Sequence, residues 1–140
     1  MTRVAIADTG PLVALLDRSD RHHGWARQLF SGLRGPVLTC EAVVAEVLFL
    51  CSRNRVSAKA LHSLLISGAL KVEPVLASAP AEVLRRLDRY ASVPMSLADG
   101  CVMHLHDHHE HSVVLTCDSD FRIYRRKRGR AVDALVPEGV

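Results

Sequence analysis

The feature of this sequence that most constrains its fold is a series of short apolar runs separated by stretches with helical periodicity. Residues 4–7, 37–39 and 112–117 have the length and apolar content of buried strands, and residues 70–75 alternate like a strand at a sheet margin. Strands that are separated by helices pair in parallel, because the chain must cross over between them. The sequence therefore predicts a three-layer α/β/α domain with a central parallel sheet of four to five strands.

The stretches between the apolar runs are expected to be helical. Their bounds are 10–16, 21–33, 40–53, 57–68, 80–90 and 96–109, and a last helix is expected from Asp118 onward. Residues 130–135 are expected to add an edge strand. The chain of 140 residues suits one domain spanning 1–140, and its 49% hydrophobic content is enough for a core without disulfides.

Apolar runs, the first residues and the cysteines together predict where in the cell the protein acts. No apolar run approaches the ~18–20 residues that are needed to span a bilayer. No signal peptide is expected, because the first strand follows directly after residue 3. The four cysteines lack C-x-x-C spacing, so reduced buried thiols are expected rather than zinc ligands or disulfides. These features predict a cytoplasmic protein without a membrane segment.

Four acidic residues stand at or near the ends of these elements, and each has a simple structural interpretation. Asp8 and Asp118 follow apolar runs, where either side chain is suited to cap the next helix. Ser96 and Asp99 form an S-x-x-D pattern, which is close to a capping box. Glu46 is compatible with the solvent face of its helix. Taken singly, none of the four indicates chemistry.

Taken together, the acids favour a shared site. Asp8 and Asp118 follow the two most apolar strands, which are expected to be central and adjacent, and the carboxyl ends of parallel strands open onto one crevice. Glu46 is expected on or beside the apolar stripe of its helix, and Asp99 on a largely buried face. Converging carboxylates repel one another unless a cation lies among them. The pattern therefore predicts a metal-dependent enzyme.

A basic segment follows the last acidic patch. Six cationic side chains occupy nine positions there: Arg122, Arg125, Arg126, Lys127, Arg128 and Arg130. One interpretation is a strip that holds a polyanion beside the acids, and the other is a solvated helix end that complements the helix dipole. Aromatic residues are few, so a base-stacking platform is not indicated.

With these motifs in place, the chain resembles the PIN-domain ribonucleases, and more narrowly the VapC-type toxins of VapBC toxin–antitoxin pairs. The stretches that carry the resemblance are 8–17, 39–46, 96–99 and 115–121, which span the domain in the order of the family. One departure is Gly10, where the family often has Ser or Asn. The resemblance implies an endoribonuclease that hydrolyses RNA phosphodiester bonds with Mg²⁺ or Mn²⁺.

The resemblance also implies roles for particular residues. The expected metal-binding and catalytic acids are Asp8, Glu46, Asp99 and Asp118, with Asp120 as an accessory acid. Asp8 and Asp99 are expected to bind the ion directly, whereas Glu46 and Asp118 bind it through water, help to hold a second ion or orient the attacking water. Candidate donors that fix the carboxylates are Thr9, Ser96 and Thr116. The candidate substrate contacts are Thr9, Thr116, Arg122, Arg125 and Arg126.

The resemblance further implies partners. These are an RNA substrate, a small VapB-type antitoxin and a second copy of the chain in a homodimer. The antitoxin would lie in an apolar groove, for which the candidate residues are Leu12, Leu15, Leu16, Leu48, Phe49 and Leu50, although these are equally suited to a core. Two alternatives stay open: a PIN nuclease of RNA processing without an antitoxin, and a PIN-like module that binds RNA or protein without cutting. The Asp118-Ser119-Asp120 sequence also imitates a phosphatase D-x-D motif, but that motif normally opens its domain.

A histidine-rich tract lies outside this pattern. His104, His108 and His111 are spaced at i, i+4 and i+7 on one face of the expected helix 96–109 and its extension. A zinc or nickel site is one interpretation of this spacing. A solvated helix end, with histidine cations near the C-terminus, is the interpretation that the sequence favours.

Overall fold

A five-stranded parallel sheet lies at the centre of the molecule in a computed structural model, which describes residues 3–140. The strands are β1 (Val4–Ala7), β2 (Val37–Cys40), β3 (Leu70–Glu73), β4 (Ser112–Leu115) and β5 (Ala134–Leu135). Their spatial order is β3-β2-β1-β4-β5, and every neighbouring pair is parallel. The predicted three-layer α/β/α fold with a parallel sheet is therefore confirmed. Met1 and Thr2, which begin the predicted domain, lie outside the described residues.

Helices flank the sheet. They are α1 (Thr9–Leu16), α2 (His23–Ser31), α3 (Glu41–Arg53), α4 (Lys59–Ser67), α5 (Val75–Ser78), α6 (Pro80–Arg89) and α7 (Leu97–His108). The short helix α5 was not predicted. The strand expected over 70–75 ends at Glu73 instead, because Pro74 has no N–H for a ladder bond and the chain turns into α5 directly after it.

The helix predicted from Asp118 onward is wrong. Two short 3₁₀ helices, Ser119–Arg122 and Lys127–Gly129, take its place. Arg128 adopts a left-handed backbone conformation with φ of 66°, which no α-helix accommodates. The segment is held by two buried aromatic side chains, Phe121 and Tyr124, which pack edge to face. The basic residues therefore do not share the face of one helix.

The two central strands carry the best-buried part of the core. β1 and β4 pair over their full length, with Ala7 opposite Leu115, so both strands end at the same level. Helix α7 packs across β1, β2 and β4 and also contacts α3 and α6. This arrangement brings the first turn of α7 to the carboxyl edge of the sheet, where β1 and β4 end.

The structure bears on the predicted lack of a membrane segment and on the predicted state of the cysteines. Within residues 3–140, no helix combines the length and the apolar character that a membrane crossing needs. All four cysteines are free thiols, and three of them, Cys40, Cys51 and Cys101, are buried. The prediction of buried thiols therefore holds for these three, whereas Cys117 is only half-buried, at the rim of the acidic cavity described below.

Candidate active site at the carboxyl edge of the sheet

The acids that the sequence singled out line one open cavity of about 530 Å³. The cavity lies where β1 and β4 end and where α1 and α7 begin. Its lining consists of Asp8, Thr9, Gly10, Glu46, Pro94, Ser96, Asp99, Cys117, Asp118, Ser119 and Asp120. Residues from four separate parts of the chain therefore meet in one place, as the predicted sheet topology requires.

Asp8 is the most deeply buried of the acids, with 5% of its surface exposed. Its backbone N–H donates to the carbonyl of Leu115 (2.9 Å), which ties the end of β1 to β4. Its Oδ2 accepts a hydrogen bond from Thr116 Oγ1 (2.8 Å), and its side chain makes no capping bond to α1. Burial, and then the nearby Asp99 carboxylate, raise the pKa of Asp8 to about 7. The capping interpretation of Asp8 is therefore excluded.

Asp99 lies in the first turn of α7 and is also buried, at 8% exposure. Ser96 caps the helix, because its Oγ accepts the backbone N–H of Asp99 (3.0 Å), as the S-x-x-D pattern predicts. Tyr124 O–H donates to Asp99 Oδ2 (2.7 Å). Burial raises the pKa of Asp99, and the Tyr124 bond opposes that rise. Asp99 is therefore both a helix-start residue and a member of the acidic cavity.

Tyr124 was missed from the sequence. It is fully buried, and a buried phenol needs a partner for its hydroxyl. A buried tyrosine therefore implies some hydrogen-bond partner, but the sequence does not indicate that this partner is Asp99, 25 positions away along the chain. Only the fold reveals that Tyr124 orients Asp99.

Glu46 reaches the cavity from α3, where it lies beside the buried stripe of the helix. The buried residues of α3 are Val43, Val47 and Cys51, spaced at i, i+4 and i+8, and Glu46 lies beside this stripe on the exposed side. Thr9 Oγ1 donates to Glu46 Oε1 (2.9 Å), which links α1 to α3. Of the two predicted positions, on or beside the apolar stripe, Glu46 takes the one beside it, and from there it lines the acidic cavity.

Asp118 and Asp120 complete the acidic side of the cavity. Asp118 Oδ1 accepts the backbone N–H of Asp120 (2.8 Å), so Asp118 does cap the short 3₁₀ helix. Its own backbone N–H donates to Thr116 Oγ1 (3.0 Å). Thr116 thus connects Asp8 with Asp118 through one hydroxyl. Because Thr116 is fully buried, it positions the acids and is not placed to touch a substrate.

The donor set fits a hard divalent cation. All the charged groups of the cavity are carboxylates, which Mg²⁺ and Mn²⁺ prefer to nitrogen or sulfur ligands. Burial and the neighbouring Asp99 carboxylate raise the pKa of Asp8, so a cation in the cavity would favour its ionised form. Within residues 3–140, no three of these carboxylates approach within 4.8 Å, so the cavity is wider than a closed cage. A cavity of this width suits an ion that keeps several of its waters.

The predicted arginine contacts separate into two groups. Arg122 and Arg125 are exposed and line a second cavity of about 340 Å³, which shares Asp118 and Ser119 with the acidic one. Arg126 is only 4% exposed, and its guanidinium donates to the carbonyl of His106 (2.7 Å). Arg126 is therefore a buried structural residue, which corrects the prediction that it contacts the substrate.

Gly10 departs from the common family residue for a reason that the packing supplies. A Cβ at this position would lie 2.9 Å from Cys117 Cβ, closer than side-chain carbons approach one another. Cys117 occupies the space that Ser or Asn would need. The departure is therefore compensated locally and leaves the cavity acids in place.

Comparison with known proteins places the chain in a family. A sequence model of the PIN domain matches residues 5–127, so the chain belongs to the PIN domain family. Its fold is similar to that of VapC20 from Mycobacterium tuberculosis, a sarcin-ricin loop cleaving toxin. The TM-score is 0.74 at 24% identity, and the alignment covers 83% of this chain and 91% of VapC20. No curated protein matched the chain by sequence.

Proposed function

We propose that this protein is a Mg²⁺- or Mn²⁺-dependent endoribonuclease that hydrolyses RNA phosphodiester bonds. The observation that carries the proposal is the acidic cavity itself, where Asp8 and Asp99 are buried with raised pKa values beside Asp118 and Glu46. Membership of the PIN domain family and the likeness in fold to an RNA-cleaving toxin support it. Function in the cytoplasm is part of the same proposal.

The degree of burial of each acid indicates its role at the ion. Asp8 and Asp99, the two buried carboxylates, are the direct ligands of the ion, and the more exposed Glu46 and Asp118 bind it through water, help to hold a second ion or orient the attacking water. Asp120 adds negative charge at the rim. A bound divalent ion supplies charge neutralisation, polarisation of a phosphate oxygen and a lowered pKa for a bound water.

Hydroxyl groups of the chain keep these carboxylates in position. The bonds from Thr116 to Asp8 and from Tyr124 to Asp99 each engage the Oδ2 atom of the acid, which fixes its rotamer. Thr9 does the same for Glu46, and as a cavity-lining residue it is also placed near the substrate. Because these carboxylates are already held in position, little conformational entropy is lost when the ion and the RNA bind.

The RNA backbone is proposed to run from the acidic cavity into the neighbouring arginine-lined cavity. Arg122 and Arg125 are exposed there, and the two cavities meet at Asp118 and Ser119. Guanidinium groups pair well with phosphate oxygens, and such contacts position a strand without reading its sequence. Arg126 has no part in this contact, because its guanidinium is buried against the carbonyl of His106.

A toxin role with a VapB-type antitoxin is the finer part of the proposal. Helix α3 carries Glu46 and also exposes Leu48 and Phe49, and Phe49 keeps 64% of its surface in solvent. An apolar segment of an antitoxin bound on α3 would lie next to the acidic cavity. Leu12, in contrast, is 1% exposed and belongs to the core. A homodimer is also proposed, by resemblance to the family.

The test is cleavage of a mixed RNA pool by purified, antitoxin-free protein in EDTA, Mg²⁺ or Mn²⁺. We expect ion-dependent cleavage that is lost in Asp8→Asn and kept in Asp88→Asn, a matched change at an exposed position of α6. Undiminished ion-dependent cleavage by folded Asp8→Asn would contradict the assignment. No cleavage by the folded wild type with any ion would favour the non-catalytic binding module. Co-purification of a small antitoxin-like protein with this chain would favour the toxin role over that of an RNA-processing nuclease.

A further inference from the structure

A second cluster of potential metal ligands lies away from the acidic cavity, between helices α6 and α7. It consists of Glu82 on α6 and of His104 and His108 on α7. One ligand atom from each residue lies within 4.8 Å of the other two, and no other trio of His, Cys, Asp or Glu in residues 3–140 does so. The proposed nuclease uses none of these side chains.

The spacing of the ligand atoms is close to that of a tetrahedral coordination shell. Glu82 Oε2 lies 3.5 Å from His104 Nδ1 and 3.8 Å from His108 Nε2. In a tetrahedral zinc site with bonds of 2.0–2.1 Å, neighbouring ligand atoms are about 3.4 Å apart. The His104 and His108 rings stack with their centroids 4.0 Å apart and 24° between their planes, so the half-exposed His108 ring must turn for both nitrogens to face one ion.

We propose that Glu82, His104 and His108 form a binding site for a transition-metal ion of borderline softness, and that Zn²⁺ fits it best. The bound ion would join α6 to α7. The site has two imidazoles and one carboxylate, and a fourth position is open to water.

The hydrogen bonding of His108 selects the tautomer that the site needs. Its Nδ1 lies 2.9 Å from the carbonyl oxygen of His104, so Nδ1 carries the proton and donates. The lone pair is therefore on Nε2, which is the atom that faces Glu82. A ring nitrogen fixed in this way by a backbone carbonyl is typical of metal-binding histidines.

Cationic side chains surround the cluster, so an ion is held there by its ligands and not by a negative field. Arg86 on α6 acts on His104 electrostatically, but it is paired with Asp107 and donates to the carbonyl of Arg125. A groove beside Glu82 is lined by Arg85, Arg89, Lys127 and Arg128. These cations repel all divalent ions alike, so the preference for Zn²⁺, Ni²⁺ or Cu²⁺ over Mg²⁺ comes from the two imidazole ligands, which Mg²⁺ binds poorly.

The structure changes the ligand set that the histidine spacing suggested. Helix α7 ends at His108, so His111 lies beyond the helix and outside the cluster. Glu82, which is 22 positions before His104, takes the third place. His111 is exposed and provides a matched control within the same tract.

The test is calorimetric titration of Zn²⁺ into EDTA-dialysed protein with excess Mg²⁺ present, alongside thermal unfolding. We expect one Zn²⁺ per chain, a higher melting temperature in zinc, and a loss of at least about tenfold in affinity for His108→Gln and for Glu82→Gln. His111→Gln is expected to keep the wild-type affinity and thermal shift. Because Glu82 and His108 are half-exposed, both variants are expected to fold, and circular dichroism checks this.

Two results would overturn the proposal. The first is equal zinc affinity in the wild type, His108→Gln and Glu82→Gln, which would mean that the three side chains form only a surface ion pair. The second is zinc binding that disappears in Asp99→Asn, which would place the zinc in the acidic cavity. Neither result depends on ribonuclease activity, so the failure of this site and the failure of the proposed nuclease are distinguishable.

Discussion

Replacing Asp8 by Asn is expected to stabilise the protein when no divalent ion is bound. Burial and the Asp99 carboxylate raise the pKa of Asp8 from 3.8 to about 7. At about 1.4 kcal/mol for each unit of pKa, the ionised side chain costs about 4 kcal/mol of folding free energy well above pH 7. The Asn carbonyl can still accept from Thr116, but its buried NH₂ group costs about 1–2 kcal/mol. The expected net gain is about 2 kcal/mol.

The assay is thermal unfolding in EDTA as a function of pH. A gain of about 2 kcal/mol corresponds to a rise of roughly 6–8 °C for a domain of this size. Because the folded pKa of Asp8 is raised, the folded state binds more protons than the unfolded state between pH 3.8 and about 7. Wild-type stability from this group is therefore lost as pH rises through that window, and the advantage of Asp8→Asn grows over the same range.

Divalent ions are expected to reverse the order of the two proteins. Saturating Mg²⁺ binds the folded wild type and stabilises it, whereas Asp8→Asn lacks a direct ligand. Asp88→Asn removes a charge from an exposed position of α6 and is expected to change neither the pH dependence nor the Mg²⁺ effect. Destabilisation by Asp8→Asn at high pH in EDTA, or an effect independent of pH, would refute the reasoning.

Three further predictions follow from single contacts. Tyr124→Phe removes the hydroxyl that donates to Asp99 and is expected to weaken Mg²⁺ binding by about 10–100-fold, measured by calorimetry. Gly10→Ala places a Cβ 2.9 Å from Cys117 Cβ and is expected to cost about 1–3 kcal/mol in urea unfolding. Burial lowers the pKa of His106 to about 4, so its contribution to stability is complete above 6.5 and is lost as pH falls toward 4, which NMR titration checks.

Matched variants make these predictions specific. Tyr90→Phe also removes a phenolic hydroxyl. The Tyr90 hydroxyl accepts from the backbone N–H of Arg125 and does not touch the acids, so Mg²⁺ affinity is expected to persist. Gly24→Ala adds a Cβ with nothing within 4 Å and is expected to leave stability unchanged or slightly higher. Equal ion affinity in Tyr124→Phe and wild type, equal stability of both glycine variants, or an ordinary pKa for His106 would contradict the respective prediction.

The fold was predictable because local patterns agree with the global arrangement. Short apolar runs separated by helical stretches leave few alternatives to a parallel sheet, and the most apolar runs took the central positions. The segment after Asp118 was not predictable in this way. Its basic residues favour a helix by propensity, but two buried aromatic side chains and the left-handed Arg128 hold it in another shape.

The convergence of the acids at one edge was predictable for the same reason, since strand ends in a parallel sheet meet. Their individual environments were not. For Glu46 the sequence left open a place on or beside the buried stripe, because one helical position separates the stripe from the exposed side. The partners of the acids, such as Tyr124 for Asp99, lie far away along the chain and have no signature of spacing. Likewise, the spacing of the histidines suggested His111, and only the packing of α6 on α7 brings Glu82 to His104 and His108.

The measurement that most directly tests the central claim is Mn²⁺ binding, followed by electron paramagnetic resonance, in the wild type and in Asp99→Asn. His108→Gln and Asp88→Asn serve as controls for the second metal cluster and for loss of a surface charge. The account predicts a tightly bound Mn²⁺ that is lost in Asp99→Asn and kept in both controls. Equal binding by wild type and folded Asp99→Asn would contradict the claim that the acids at the carboxyl edge of the sheet hold the catalytic ion.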